Sequence, residues 1–126
     1  MEKVDNVIRI PTKLEGNFFK FWLQFLEPFH NLTPRESDIF AAFLQERYEL
    51  SKVISDPDIL DTVVMSEDTK RKIREKCGVS LPHFQVIMAK LKKNKVLLDN
   101  KIHPKFIPNL KKDAKSFQLL LLFDLQ

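Results

Sequence analysis

Lysine and arginine side chains between Ser66 and Lys115 carry most of the chemistry that this sequence can offer. The stretch holds 14 Lys or Arg and 5 Asp or Glu, a local net charge of +9 in a chain whose net charge is +4. Ammonium and guanidinium groups bind phosphate and carboxylate oxygens, and their concentration on one compact unit favours a polyanionic partner. The stretch therefore predicts a polyanion-binding surface.

The remaining reactive side chains indicate neither catalysis nor metal binding. Two glycines are too few for a phosphate-binding loop, and no nucleophile has a base at a suitable spacing. A single cysteine, Cys77, gives no disulfide framework, fits a reducing compartment and is expected to be inert at a helix end facing the core. None of the three histidines forms a metal-ligand pair with it: His30, His83 and His103. We expect no enzymatic activity, cofactor, metal or small-molecule substrate.

Helices are expected to position the basic residues. The long helix that precedes the basic stretch has a clear N-terminus in the sequence. Thr33 is a good N-cap, Pro34 suits the first helical position, and Glu36 completes a capping box. Apolar residues at helical spacing extend this helix to about Leu50. Residues 51–65 are acidic and predict a loop, or a loop with a short helical turn.

The basic stretch itself predicts two helices followed by a hairpin. Ser66 and Ser80 are the expected N-caps, and Gly78 is expected to end the earlier helix in a left-handed conformation. After these two helices, the sequence predicts two short strands joined by an Asp-Asn turn, Val96–Leu98 and Ile102–Phe106.

Apolar residues are concentrated near both ends of the chain. Val4–Ile10 predicts a short strand, and Phe117–Leu125 predicts a last strand that is apolar on both faces. Asn17 is the expected N-cap of a helix to about Leu26, whose apolar residues cover almost all sides. Such a helix is either buried or docked on a partner. We expect an extension over residues 1–31 and a main domain over 32–126, with these candidate docking residues: Phe18, Phe19, Trp22, Leu23 and Phe29.

Residues about 32–108 resemble a known domain family. Gly78, Val79 and Ser80, followed by apolar Phe84 and Ile87, are similar to the helix-turn-helix consensus. The opening at residues 32–36 is similar to the first helix of luminescence-regulator-type and sigma-factor helix-turn-helix domains. With the hairpin, the order of elements resembles the winged helix-turn-helix family. The resemblance implies a mainly α fold with a small β component, built from a three-helix core and a β-hairpin wing, here with a Phe-rich N-terminal helix and terminal strands.

The same resemblance implies nucleic-acid binding with little base-specific readout. In the family, the first turn of the recognition helix meets base edges, and here only Ser80 and Gln85 of that turn can hydrogen-bond a base. The lysines are placed for contact with the phosphates of double-stranded DNA. The candidate binding residues are Lys70, Arg71, Lys72, Ser80, His83, Gln85, Lys90, Lys92, Lys93, Lys101 and Lys105.

Arg74 departs from the family pattern, which has a small residue four positions before the turn glycine. Either the two helices sit further apart than usual, or the arginine extends outward from between them.

A second function stays open on the same sequence. Lysines on helix faces are usually solvated surface, and a winged helix can also dock proteins. Residues 18–29 and 117–125 hold more apolar surface than a 126-residue domain easily hides. The alternative is a structural or assembly subunit, such as a virion or connector component, that oligomerises or binds a protein. The small, Lys-rich, Phe-rich, Gly-poor composition is also similar to that of small tailed-bacteriophage proteins.

No segment predicts export or membrane insertion. The first ten residues are polar and mixed in charge, unlike a signal peptide. The longest apolar run, Leu119–Phe123, is too short to cross a bilayer. We expect an intracellular location, in the cytoplasm or within a viral particle, and no membrane partner.

Overall fold

Helices dominate the computed structural model, which describes residues 7–14, 16–111 and 115–126. The two strands form one small antiparallel sheet, so the predicted class, mainly α with a small β component, is confirmed. In chain order the elements are α1 (Phe18–Phe25), α2 (Glu27–His30), α3 (Pro34–Ser51), α4 (Pro57–Val64), α5 (Glu67–Lys76), α6 (Leu81–Lys93), β1 (Leu97–Leu98), β2 (Lys101–Ile102) and a 3₁₀ helix (Pro104–Phe106).

Helix α3 begins with the predicted capping box. The Glu36 backbone N–H donates to the Thr33 hydroxyl at 3.3 Å, and the Thr33 N–H donates to Glu36 Oε1 at 2.9 Å. These bonds satisfy two backbone donors that a helix start otherwise leaves free. The inner face of α3 is fully buried at Ile39, Phe40 and Phe43, and the helix forms the centre of the core.

Helix α4 replaces most of the predicted acidic loop. The Asp56 carboxylate accepts hydrogen bonds from the N–H groups of Asp58 and Ile59 at 2.9 and 3.3 Å. Pro57 occupies the first helical position, where its missing N–H costs nothing. The Asp-Pro pair is therefore a helix start, and α4 buries Leu60 against the core.

The predicted corner between α5 and α6 is confirmed. Ser66 and Ser80 both cap through their side chains, accepting from the backbone N–H of Thr69 and His83. Gly78 lies between the two helices at a φ of +64°, in the left-handed region. The two helices and the turn occur in the order that the helix-turn-helix resemblance implies.

The hairpin has the predicted turn but a shorter second strand. Leu97 pairs with Ile102 and Leu98 with Lys101, joined by a two-residue turn at positions 99 and 100, both at positive φ. The chain then leaves the sheet, because Pro104 has no N–H for a ladder and begins a 3₁₀ helix instead.

The predicted terminal strands are wrong where the structure describes them. Residues 7–10 and 117–125 form no strand, and residues 4–6 lie outside the described part. A strand needs a hydrogen-bonded neighbour, and within the described residues the only paired strands are β1 and β2. Helix α1 ends at Phe25, close to the predicted Leu26, but the Asn17 side chain makes no cap bond.

Helix α1 is part of the same core as the later helices. It packs on α3 and buries Phe19, Trp22 and Leu23. The Trp22 indole N–H donates to the backbone carbonyl of Phe106 at 2.8 Å, across most of the chain length. Packing therefore continues across residue 31, where the sequence predicted the end of an extension.

Candidate nucleic-acid interface

Three of the basic residues of α5 have acidic neighbours. Each exposed pair is worth little energy, but the adjacent carboxylates offset the positive charge that α5 presents to a polyanion. The pairs are Lys70 with Glu67 (3.7 Å), Arg71 with Asp68 (2.9 Å) and Lys72 with Glu46 (2.8 Å). Two of them are local pairs three residues apart, whereas Glu46 comes from α3.

The first turns of α6 are exposed but present no Lys or Arg. Leu81 and Val86 are among the exposed apolar side chains, and Pro82, His83 and Gln85 are also exposed. The Ser80 hydroxyl already accepts the His83 backbone N–H as the helix cap. Of the predicted base-reading side chains, Gln85 alone is free of such a structural role among the described residues, so this end of α6 offers little direct readout.

Unpaired positive charge lies at the other end of α6. We call Lys90, Lys92, Lys93 and Lys95 the terminal lysine cluster; within the described part of the chain, none of the four makes an ion pair. Positive charge is favourable at a helix C-terminus because the last carbonyl groups carry partial negative charge. Lys101 of β2 is half-buried on the hairpin that follows.

A groove of about 300 Å³ separates α6 from the hairpin. Lys92 from the cluster and Lys70 from α5 both line it, together with Met65, Met88 and the turn residues 99 and 100. Lys70 and Lys92 therefore face one concave surface, although they belong to different helices.

Asn94 ties the terminal lysine cluster to the N-terminal helices. Its side-chain N–H groups donate to the backbone carbonyls of His30 at 2.8 Å and Asn31 at 3.3 Å. His30 is itself buried: the Leu32 N–H donates to its Nδ1 at 2.9 Å, so its Nε2 carries the proton that bonds the Leu23 carbonyl at 2.8 Å. A neutral histidine thus holds α2 in place beside the end of α6.

Lys105 lies on the 3₁₀ helix and not on the wing, where the sequence predicted it. Its ammonium nitrogen is 5.2 Å from the centroid of the Phe29 ring and 5.7 Å from that of Phe106. These are cation–π distances. The Lys105 backbone N–H donates to His103 Nδ1 at 3.0 Å, which fixes this short turn.

Arginines near the α5–α6 corner are held by backbone carbonyls. Arg74 is half-buried and donates to the Val79 carbonyl at 3.4 Å. Arg35 donates to the Cys77 carbonyl at 2.9 Å.

Burial raises the pKa of the Cys77 thiol, so the protonated and poorly nucleophilic form is favoured at neutral pH.

The five candidate docking residues do not share one surface. Phe19, Trp22 and Leu23 are buried in the core of this chain, because the α1 face that carries them packs on α3. Phe18 is half-buried, with its ring 5.5 Å from that of Phe117. Phe29 is 53% exposed, and it is the member of the set that a partner can reach most easily.

Comparisons of this chain with models of protein families, with curated proteins and with solved structures found no match. Among the residues described, no group of three or more His, Cys, Asp or Glu is placed to hold a metal ion. The helices of the same residues include none with the length and apolar character needed to cross a bilayer.

Proposed function

We propose that this chain is a non-enzymatic nucleic-acid-binding protein of the winged helix-turn-helix type. It contacts the phosphate backbone through the end of α6 and the neighbouring hairpin, and reads few bases. The terminal lysine cluster carries the proposal, because its four ammonium groups have no acidic partner among the described residues, in contrast to Lys70, Arg71 and Lys72 of α5. Ammonium groups that make no ion pair within the described chain are available to bind phosphates.

We expect binding with little sequence preference, because the phosphate-binding lysines and the base-reading side chain lie at opposite ends of α6. Phosphate contacts position a protein on nucleic acid, whereas contacts to base edges specify a sequence. The basic end of α6 supplies the first kind. The opposite end supplies Gln85, with Leu81 and Val86 as apolar neighbours that can touch only a thymine methyl.

Replacing Lys90, Lys92 and Lys93 together by Gln should weaken binding to a random-sequence duplex and make it less salt-dependent. Each lost phosphate contact removes about 0.9 from the slope of log K against log salt. The matched control replaces Arg71, Lys72 and Lys76 by Gln, an equal change in net charge on α5 that leaves the groove residue Lys70 in place. Fluorescence anisotropy over a salt series measures both variants.

We expect a large loss of slope for the α6 variant and a small one for the α5 variant. Equal losses would assign the binding to overall charge and not to the terminal lysine cluster. No binding of the wild-type chain at low salt to either duplex or single-stranded nucleic acid would refute the proposed function itself.

A second candidate, an assembly subunit of a cell or a virus particle, is favoured by the C-terminal segment. Residues 119–125 form neither helix nor strand, and the outermost side chains are almost fully exposed, at 81% for Phe123 and 93% for Leu125. Contiguous exposed apolar surface of this kind is typical of interaction sites. In an assembly these side chains would be covered by another chain.

A further inference from the structure

We infer that Phe29 and Lys105 form a stacking site for an unpaired base, so that the protein binds single-stranded nucleic acid in preference to duplex. The inference rests on the proposed function and narrows it to one form of nucleic acid. The sequence had placed Phe29 on a protein-docking surface and Lys105 on a wing. The structure brings the two side chains together.

The geometry of the pair suits a nucleotide. The Phe29 ring is 53% exposed, and the Lys105 ammonium lies 5.2 Å from its centroid. An exposed aromatic ring stacks on the face of any base, and when a base stacks on Phe29 the ammonium moves from above the ring to the phosphate of the same nucleotide. A base within a duplex has both faces stacked on its neighbours, so only an unpaired base can use the ring.

Lys105 is held in this position by its surroundings. It follows Pro104 in the 3₁₀ helix, its N–H is bonded to His103 Nδ1, and its ammonium also contacts the buried Phe106 ring. The ordered backbone of Lys105 therefore costs no further entropy on binding, and only its side chain moves from the rings to the phosphate.

The stacking site and the terminal lysine cluster lie at the same end of the molecule. Asn31, two residues after Phe29, accepts a hydrogen bond from Asn94, which directly follows Lys92 and Lys93. Lys90 lies four residues before Asn94 and therefore on the same side of α6. A single strand with one base on Phe29 can thus place neighbouring phosphates near the cluster, which is the combination of basic groove and aromatic platform found in single-strand binding sites.

The test measures binding of the full chain to labelled oligo-dT, oligo-U and a random duplex by anisotropy over a salt series. The variants are Phe29→Ala, Phe29→Tyr, Lys105→Gln and, as the matched control, Phe25→Ala. Phe25 is 48% exposed on the adjacent helix, and no Lys or Arg lies over its ring among the described residues. Circular dichroism melting checks that each variant is folded.

We expect tighter binding to each of the two single-stranded oligomers than to duplex. Phe29→Ala should bind single strands about 5- to 100-fold more weakly, with an unchanged salt slope, because stacking releases no counterions. Phe29→Tyr should retain the wild-type affinity. Lys105→Gln should instead lower the slope by about 0.7, the contribution of one phosphate contact on a single strand.

Wild-type single-strand affinity in Phe29→Ala would overturn the inference, as would equal losses in Phe29→Ala and Phe25→Ala. If the stacking site fails this test but duplex binding still falls steeply with salt and depends on the terminal lysine cluster, the proposed function stands without the stacking site. If neither duplex nor single strand binds, the proposed function fails as well.

Discussion

Asn94 is the residue that fixes the end of α6 against the N-terminal helices. Its side chain bridges two consecutive carbonyl groups, those of His30 and Asn31, and Asn31 adopts a positive φ of 52°. Only an amide or another double donor can bond both carbonyls from this place. The position of the terminal lysine cluster relative to Phe29 therefore depends on one side-chain amide.

Asn94→Asp should destabilise the fold by about 1–3 kcal/mol, because it removes two donors and sets an anion against two carbonyl oxygens at a helix C-terminus. Urea unfolding monitored by circular dichroism measures the change. Asn109→Asp is the matched control, since it makes the same charge change at an exposed position outside the helices. Equal midpoints for the two variants would mean that the Asn94 bonds contribute nothing to stability.

At the scale of elements, the corner between α5 and α6 depends on the backbone conformation of Gly78. Its φ of +64° is a conformation that disfavours residues with a Cβ, yet a Cβ built there meets no atom within 4 Å. Any penalty for a larger residue at this position is therefore conformational and not steric.

Gly78→Ala should cost about 1–2 kcal/mol of unfolding free energy, the penalty of a left-handed conformation for a residue with a Cβ. Gly16→Ala is the internal control: its Cβ would make an ordinary 3.5 Å contact with Lys13, and no positive φ is required. We expect that substitution to be neutral or slightly stabilising. Chemical denaturation measures the unfolding free energy of both variants. An unchanged unfolding free energy in Gly78→Ala would contradict a strained backbone conformation at this corner.

Elements specified by local chemistry were predictable from the sequence. Caps at Thr33, Ser66 and Ser80, the Gly78 turn and the hairpin turn all depend on contacts within four residues. Helix α4 was underestimated because the Asp56-Pro57 pair is compatible with both a loop and a capped helix start.

Features that depend on distant partners were not predictable. The two terminal segments have strand-like composition, but no neighbouring strand pairs with their described residues. The sequence around Lys72 does not predict its ion pair with Glu46. The apolar pattern of α1 does not show which side of the helix packs on α3. The contact between Phe29 and Lys105 joins residues 76 positions apart, and only the folded chain brings them together.

At the scale of the whole molecule, positive charge and the longest exposed apolar run belong to different segments of the chain. The terminal lysine cluster and Lys101 surround the end of α6, whereas the longest run of exposed apolar side chains among the described residues is Leu119–Phe123, beyond Phe117. Phe117 itself contacts the Phe18 and Trp22 rings, so this residue is anchored to α1. The segment after it contributes little buried surface to the fold.

Deletion of residues 119–126 should therefore change the unfolding free energy by less than about 0.5 kcal/mol, the usual range for surface changes. It should also abolish any self-association, because it removes the exposed leucines and Phe123. Urea unfolding and light scattering measure the two effects separately. The full-length variant Leu120→Glu/Leu122→Glu keeps the chain length while disrupting the apolar run, and should behave like the deletion. A loss of several kcal/mol would mean that the segment packs on the core, and an unchanged oligomeric mass would place the self-association surface elsewhere on the molecule.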